Sequence, residues 1–182
     1  GDPRCEDARV LGDKMDHLDG IVDNIVNFAR NAEPRMAPVH VPTLLDDLAL
    51  LTRHKLQHHS IGLKRDDAPD LAPVNADATQ LSQAFLNVIL NATEAMPDGG
   101  TLRIATRREG SELRVAFADS GPGMTEAQRE RAFTGMLSTT KDKGGGLGLA
   151  IVTKVAEAHG GRVELESEEG RGTVITFCLA AE

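Results

Sequence analysis

Apolar residues in the first part of the chain recur at the spacing of a packed helix. They are separated by intervals of 4, 3, 4, 3 and 4 residues, in the order Leu11, Met15, Leu18, Val22, Ile25 and Ala29. This heptad pattern is typical of a helix that packs lengthwise against other helices. Val10, Ile21 and Phe28 widen the stripe, which favours a helical bundle over a two-helix coiled coil, and Pro34 ends the helix. An amphipathic helix that lies on its own domain is the alternative.

After Pro34 the pattern becomes a mixture of helix and strand. A short extended stretch is predicted at 39–41, followed by a helix over 44–57 that Thr43 caps. Residues 61–64 predict a strand, and residues 67–75 predict a loop. A long helix is predicted from Asp77 to Met96, and its apolar face carries Leu81, Phe85, Val88, Ala92 and Ala95.

Two predicted hairpins dominate the rest of the chain. Strands at 102–107 and 113–118 are joined by a turn at 108–111, and strands at 163–166 and 174–179 repeat the arrangement. Between the hairpins, Thr125 and Gln128 form a capping box for a short helix through Phe133, and a glycine-rich loop leads into a helix over about 147–159. The sequence therefore predicts a single helix over 1–34 and an α+β domain over 35–182.

Composition and charge exclude several classes of partner. The formal net charge is −8 with a pI of about 5.2, which argues against nucleic acid, because phosphate binding rests on Lys and Arg. No stretch approaches the about 18 consecutive apolar residues of a membrane span. Cys5 and Cys178 lack zinc-type spacing and are expected to be free thiols. We therefore expect this part of the protein to be cytoplasmic and to make no membrane contact.

Three polar residues of the long helix are spaced to lie on one face. Asn87, Asn91 and Glu94 occupy positions i, i+4 and i+7, opposite the apolar stripe. An amide oxygen is a suitable ligand for Mg²⁺, so Asn91 is a candidate to hold the ion against phosphates. A solvated helix face is the alternative interpretation of the same three residues.

A second motif, Asp119-Ser-Gly121-Pro-Gly123, follows an apolar strand. A carboxylate at a strand end can accept a hydrogen bond from the exocyclic amine of adenine, whereas guanine would present a carbonyl there. Gly121 and Gly123 would let the backbone approach a base without an intervening Cβ. The alternative is an ordinary turn built from Asp and Gly.

Two glycine-rich segments complete the candidate chemistry. In the first, Lys141 and Lys143 precede Gly144, Gly146, Leu147, Gly148 and Leu149. A glycine hinge that leads into a helix N-terminus beside two lysines is a local anion site, although a flexible surface loop would also explain it. In the second, Gly170 to Thr173 begins the last strand; Thr173 would place a hydroxyl near a base, or the glycines merely form a hairpin turn.

In this order, the four motifs resemble the N, G1, G2 and G3 boxes of histidine kinases, a branch of the Bergerat-fold ATPases. The matching stretches are QLSQAFLNVILNATEAM, DSGPGM, GGGLGLAIV and GRGTVITF, within residues 39–180. The resemblance implies a two-layer α/β sandwich, a mixed sheet backed by helices, that binds ATP or ADP with Mg²⁺. A short segment between Gly123 and Gly144 resembles the lid of the nitrogen-regulation class.

The resemblance also implies roles for individual residues. Asn91 resembles the Mg²⁺ ligand, Asn87 a phosphate or metal-water contact, Asp119 the acceptor for the adenine amine, and Lys141 a phosphate contact. Gly144, Gly146 and Gly148 resemble the lid hinge. The remaining residues expected around ATP are Glu94, Gly121, Gly123, Leu147, Leu149 and Thr173. Glu94 departs from the family, since many relatives have a basic residue there.

The first helix resembles the second helix of a dimerisation and histidine-phosphotransfer domain, but no His-Glu-x-x-x-Pro-like H box occurs in the sequence. We therefore expect a chain that binds ATP without phosphorylating itself. Its expected partners are the H-box helix of its parent kinase and a cognate response regulator. Any homodimer through residues 10–29 is expected to be weak, because half of a four-helix bundle leaves its seam partly exposed.

Two other functions stay open at this stage. The residues around Phe133, AFTGMLSTTK, depart from the Phe-Glu-Pro-Phe-like run that the family usually has. One alternative is therefore a dimeric interaction module that nucleotide regulates and that transfers no phosphate. An anti-sigma-type serine kinase, which shares the fold, is the other. His54, His58 and His59 have a spacing that metal sites use, but a polar helix end is the preferred interpretation.

Overall fold

The structure, a computed structural model, describes residues 33–134 and 146–181, and a compact unit begins at Pro34. Residues 1–32 of the helix predicted over 1–34 lie outside the described residues, as do Lys141 and Gly144. The division at residue 34 therefore stays a prediction. In chain order the described elements are β1 (Ala37–Val39), α1 (Val41–His58), β2 (Ile61–Asp67), β3 (Val74–Ala76), α2 (Ala78–Ala95), β4 (Gly100–Glu109), β5 (Glu112–Asp119), α3 (Glu126–Thr134), α4 (Gly146–Ala158), β6 (Arg162–Glu168) and β7 (Gly172–Ala180).

Five strands form a mixed sheet in the order β2-β4-β5-β7-β6. β2 runs parallel to β4, and every other neighbouring pair in this sheet is antiparallel. Side chains alternate across the sheet, so that Leu113, Val115 and Phe117 of β5 are buried beneath the helices, while Arg114 belongs to the other face. The predicted α+β fold, a two-layer sandwich with a mixed sheet backed by helices, is confirmed.

Three phenylalanines join the two layers. Phe85 of α2 lies 5.3 Å from Phe117 of β5 and 4.8 Å from Phe177 of β7, measured between ring centroids, and all three side chains are fully buried. Aromatic pairs at such distances contribute about 0.5–1.5 kcal/mol beyond the area they bury. The surrounding core is aliphatic.

The start of the domain differs from the prediction. The first strand occupies Ala37–Val39 rather than residues 39–41, because the helix begins at Val41 and Pro42 lies in its first turn, where proline's missing N–H is not needed. Thr43 is therefore inside the helix and does not cap it. His40 is the residue at the cap position, and its Nδ1 lies 2.9 Å from the Thr43 hydroxyl.

A third strand lies in the segment predicted to be a loop. β3 pairs antiparallel with β1 in a separate two-stranded sheet, with Val39 opposite Val74, and Val74 and Ala76 are buried. β2 also runs three residues beyond its predicted end at 64. Its polar residues are paired there: Arg65 Nη2 donates to Asp67 Oδ2 at 2.6 Å, and the Thr106 hydroxyl donates to Asp67 Oδ1 at 2.7 Å.

The predicted helix starts at Asp77 and Thr125 are confirmed. The Asp77 carboxylate accepts hydrogen bonds from the N–H groups of Thr79 and Gln80, at 2.9 and 3.1 Å, and so caps α2. Thr125 and Gln128 form the reciprocal bonds of a capping box before α3, at 2.9 and 3.3 Å. None of the described helices is long and apolar enough to cross a membrane.

Candidate functional site

A cavity of about 230 Å³ lies between α2 and the sheet. Residues from four separate segments meet around it: Asn91 and Glu94 from α2, Asp119 from the end of β5, Leu149 from α4 and Thr173 from β7. Val88, Phe117 and Ile175 supply apolar walls. Members of all four sequence motifs are therefore brought together at one place, although they are far apart in the chain.

Asp119 is the half-buried carboxylate of this cavity. Its Oδ1 accepts hydrogen bonds from the backbone N–H groups of Gly121, at 2.8 Å, and Thr173, at 3.3 Å. Burial raises the pKa of the Asp119 carboxyl above its ordinary value, and the two N–H groups only partly oppose this effect. Within the described residues, only Oδ1 of this carboxylate is hydrogen-bonded, so Oδ2 remains available as an acceptor.

The glycines near Asp119 are required by close backbone packing. A Cβ on Gly172, whose φ is +91°, would lie 2.0 Å from the Asp119 carbonyl oxygen, and one on Gly121 would lie 2.8 Å from Asp119 Oδ1. A Cβ on Gly123 would lie 2.0 Å from the Glu168 carbonyl oxygen. Neither Gly121 nor Gly123 lines the cavity. Gly123 therefore lets the turn after Asp119 pack against the β6–β7 hairpin, and Gly121 lets the same turn pack against Ala95 at the end of α2. This role differs from the direct approach to a base that the sequence suggests.

The three polar residues of α2 differ in exposure. Glu94 is exposed at the rim of the cavity, Asn91 is half-buried in its wall, and Asn87 is 6% exposed. Asn87 does not line the cavity, and its Nδ2 has no hydrogen-bond acceptor among the described residues. A buried N–H donor without an acceptor costs about 1–3 kcal/mol.

The glycine-rich segment before α4 is described only in part. α4 begins at Gly146, so Gly146, Leu147 and Gly148 form its first turn, and Leu149 is buried against the cavity. The predicted phosphate contact Lys141 and the hinge residue Gly144 lie outside the described ranges.

The sequence analysis did not identify Ser167, whose hydroxyl contacts Thr173, Gly172 and Met124 beside the cavity. Its Oγ lies 2.9 Å from Thr173 Oγ1, 3.0 Å from the Gly172 carbonyl oxygen and 2.9 Å from the Met124 backbone nitrogen. The signal that could have revealed it is the alternation of β6, in which Val163, Leu165 and Ser167 face the helices. A serine at an inward position is a polar group that needs partners.

A larger groove of about 690 Å³ runs along the β6–β7 hairpin and the start of α3. Its charged residues have both signs, including Arg129, Arg171 and Glu168, and none of the predicted site residues lines it. Within the described ranges, no three His, Cys, Asp or Glu side chains are grouped as a metal site. Of these two pockets, the smaller cavity is the better candidate for the functional site, because residues of all four sequence motifs line it.

A mixed sheet covered on one face by helices, with a carboxylate and glycine turns beside a cavity between the layers, defines an α/β-sandwich domain with a candidate ligand site. The chain belongs to the family described as histidine kinase-, DNA gyrase B-, and HSP90-like ATPases, whose model matches residues 76–182.

Curated relatives are sensor kinases. Sensor histidine kinase ZraS of Klebsiella oxytoca is 34% identical over 173 residues, which cover 94% of this chain and 37% of the relative. Nitrogen regulation protein NtrY of Azorhizobium caulinodans is 33% identical over 189 residues, which cover 98% of this chain and 24% of the relative. The chain thus spans well under half the length of these relatives. The match with a nitrogen regulation protein confirms the predicted resemblance to the nitrogen-regulation class.

Solved structures show the same fold. Full-length ShkA in complex with AMPPNP matches with a TM-score of 0.80 and 28% identity, over 100% of this chain and 40% of that chain. Histidine kinase ThkA in complex with the response regulator TrrA matches with a TM-score of 0.77, over 95% of this chain and 50% of that chain. At 24% identity, the second match shows likeness of fold.

Proposed function

We propose that this chain binds ATP with Mg²⁺ in the cavity at Asp119 and supplies the phosphoryl group for a histidine in the H-box helix of its parent sensor kinase. The observation that carries the proposal is the geometry of Asp119. Two backbone N–H groups hold Oδ1, and Oδ2 is left to accept a hydrogen bond in a largely apolar cavity. An adenine amine supplies that hydrogen bond, whereas the carbonyl of guanine would be repelled.

The size and walls of the cavity suit the base. Its volume of about 230 Å³ is below the about 300–1,000 Å³ of pockets that enclose whole drug-sized ligands. Val88, Phe117 and Ile175 offer apolar surface for the faces of a purine. The sugar and phosphates then extend beyond the cavity, past Asn91 and Glu94 on α2.

Residues suited to phosphates and Mg²⁺ lie on the same helix. The amide oxygen of Asn91 is a hard oxygen ligand of the kind Mg²⁺ prefers. Nδ2 of Asn87, which has no acceptor among the described residues, would gain one from a phosphate oxygen. The first-turn N–H groups of α4 favour negative charge, and Lys141 is proposed to add a positive charge beside them. When bound, Mg²⁺ neutralises charge on the phosphates during transfer.

Calorimetric titration of Mg-ATP into the chain and into Asp119→Asn tests the binding site. In the variant, the amide oxygen replaces Oδ1 and keeps both backbone bonds, so the amide NH₂ faces the base and meets the adenine amine as a second donor. We expect micromolar binding by the chain, roughly 8 kcal/mol, and a loss of about tenfold or more in the variant, as for a hydrogen bond to a charged group. Asp47→Asn, the same change on an exposed position of α1, should bind like the unaltered chain. Equal affinity in all three proteins, or no binding by the unaltered chain, would contradict the proposal.

Phosphate transfer is tested with a separately produced H-box helix and a response regulator. Labelled phosphate should pass from ATP to the histidine of that helix and then to the regulator. If ATP binds but the helix stays unlabelled, the transfer step is wrong and the nucleotide-regulated interaction module takes its place. Phosphoserine in a target protein would instead indicate the anti-sigma type.

A further inference from the structure

Asp119, Thr173 and Ser167 form a row across three neighbouring strands. Asp119 of β5 is opposite Thr173 of β7, and Thr173 is opposite Ser167 of β6. Asp119 and Thr173 line the cavity, whereas Ser167 does not. Ser167 is 9% exposed and lies behind Thr173, one strand further from the proposed base site.

The hydroxyl of Ser167 uses all of its hydrogen-bonding capacity. A serine hydroxyl has one proton and two lone pairs. The Met124 N–H group can only donate to it, and the Gly172 carbonyl oxygen can only accept from it. The Ser167 hydroxyl therefore donates its hydrogen bond to the Gly172 carbonyl oxygen. One of its lone pairs accepts the hydrogen bond from the Met124 N–H group, and the second lone pair can accept one from Thr173.

This count fixes the direction of the Ser167–Thr173 hydrogen bond. The two oxygens are 2.9 Å apart, and either hydroxyl could donate if the pair were isolated. If Ser167 donated to Thr173, its bond to Gly172 would be lost, so the arrangement with all three bonds has Thr173 as the donor. Thr173 has a single hydroxyl proton, so toward any other neighbour, including a ligand in the cavity that Thr173 lines, its oxygen can only accept a hydrogen bond.

We infer that Ser167 is a positioning residue that sets base selectivity from outside the cavity, by holding the Thr173 hydroxyl as an acceptor. The inference rests on the proposed binding of ATP at Asp119. With Thr173 held in this way, the two polar groups of the row that face the cavity are both acceptors. They favour a base that brings an amino group and disfavour one that brings a carbonyl oxygen.

Removal of the Ser167 hydroxyl has a specific consequence and a general one. Specifically, the Thr173 proton becomes free to turn toward the cavity, where it can donate to a carbonyl oxygen of a base. Generally, the Met124 N–H group and the Gly172 carbonyl lose a partner, which loosens the site for every nucleotide. The specific effect changes the ratio of two affinities, whereas general loosening lowers both affinities together.

The test compares binding of ATP and inosine triphosphate, whose base has a carbonyl in place of the amino group, by calorimetry. Ser167→Ala should shift the ratio of affinities toward inosine triphosphate by about five- to tenfold, the worth of one net hydrogen bond. Ser167→Thr, which keeps a hydroxyl, should restore the ratio of the unaltered chain. Ser111→Ala, the same change in an exposed turn at the other end of β5, should leave the ratio unchanged.

A double-mutant cycle separates hydroxyl direction from loosening. In Thr173→Val there is no hydroxyl to reorient, so adding Ser167→Ala should leave the ratio of affinities unchanged there. A ratio that stays constant in Ser167→Ala, or that shifts equally in the Thr173→Val background, would overturn the inference. Ser167→Cys, nearly isosteric and a weaker acceptor, should shift the ratio in the same direction and serves if Ser167→Ala does not fold. Failure of the unaltered chain to bind either nucleotide would instead overturn the proposed function, and that result is read before any variant is made.

Discussion

At the scale of single residues, Asp119 combines a half-buried position with a need to be ionised. Only the carboxylate form lacks a proton on both oxygens and can accept the amine of a base. Because burial raises the pKa of this carboxyl, protonation begins at a higher pH than for an exposed aspartate. The same burial disfavours the ionised form in the folded state, so this residue makes folding more favourable as pH falls while binding weakens.

We therefore predict that ATP affinity falls on acidification at a pH above the ordinary range of aspartate, near 4. The Asp119→Asn variant should bind weakly with no matching pH dependence, because its amide does not titrate. Calorimetric titrations at a series of pH values from neutral downward measure both. An acid midpoint at or below that of an exposed aspartate would contradict the assignment of Asp119 as the acceptor.

Gly172 is a second residue whose chemistry is dictated by its position. Its φ of +91° is costly for any L side chain, and a Cβ would lie 2.0 Å from the Asp119 carbonyl oxygen. Gly170 has a similar φ of +81° with nothing within 4 Å of a Cβ. We expect Gly172→Ala to lose more than the about 1–3 kcal/mol of backbone strain alone, and Gly170→Ala to lose only that strain. Urea unfolding of the two variants gives the difference, and equal losses would show that the clash is relieved at no cost.

At the scale of elements, Asp77 and His159 connect the start of α2 to the end of α4, the ends of these helices that do not line the cavity. Asp77 caps α2, and its Oδ2 accepts a hydrogen bond from the Arg35 N–H group at 2.8 Å. The Asp77 N–H group donates to Nε2 of buried His159 at 2.9 Å, while Nδ1 of that ring donates to the Val155 carbonyl oxygen at 2.7 Å. His159 therefore ties the end of α4 to the start of α2 through both ring nitrogens.

Replacement of this cap should destabilise the domain in a pH-dependent way. Burial raises the pKa of Asp77, but the N–H bonds from Arg35, Gln80 and Thr79 outweigh it and leave the pKa below its ordinary value. The stabilisation is therefore present above the ordinary pKa of aspartate and is lost as pH falls through the lowered one. Asp77→Ala should cost about 1–2 kcal/mol at neutral pH. Denaturant unfolding at neutral and acidic pH checks this, with Asp47→Ala as the exposed control; a cost that persists in strong acid would contradict the capping role.

Several elements with local signals were predicted correctly, such as the helix starts at Asp77 and Thr125, which depend on residues two or three positions away. The predicted cap at Thr43 is an exception, because the helix begins two residues earlier, at Val41. β3 was missed because, among the described strands, it pairs with β1 alone, and three residues show too little alternation to indicate a strand. The contact of Ser167 with Thr173 likewise depends on the register of β5, β7 and β6, which the sequence does not specify. The spacing of residues along α2 indicates which face Asn87 lies on, but not that tertiary packing buries it.

At the scale of the whole molecule, the proposed function assigns a base site and one side of a phosphate site to the described unit, and it assigns the phosphorylated histidine to the H-box helix of the parent sensor kinase. We predict that a homodimer through residues 10–29 is weak, because a single helix from each copy leaves the seam of a bundle partly exposed. Sedimentation over a range of concentrations should show dissociation well above the nanomolar range. A dimer that persists at nanomolar concentration would contradict this prediction.

In the proposed function, Asp119 accepts a hydrogen bond from the amine of adenine. A crystal structure of the chain with Mg²⁺ and an ATP analogue would show this contact. We expect the exocyclic amine of the base within about 3 Å of Asp119 Oδ2, the distance of an N–H···O hydrogen bond, with Oδ1 still held by Gly121 and Thr173. A base bound in the larger groove beside Arg129 and Arg171, or a base in the cavity with its amine turned away from Asp119, would contradict it.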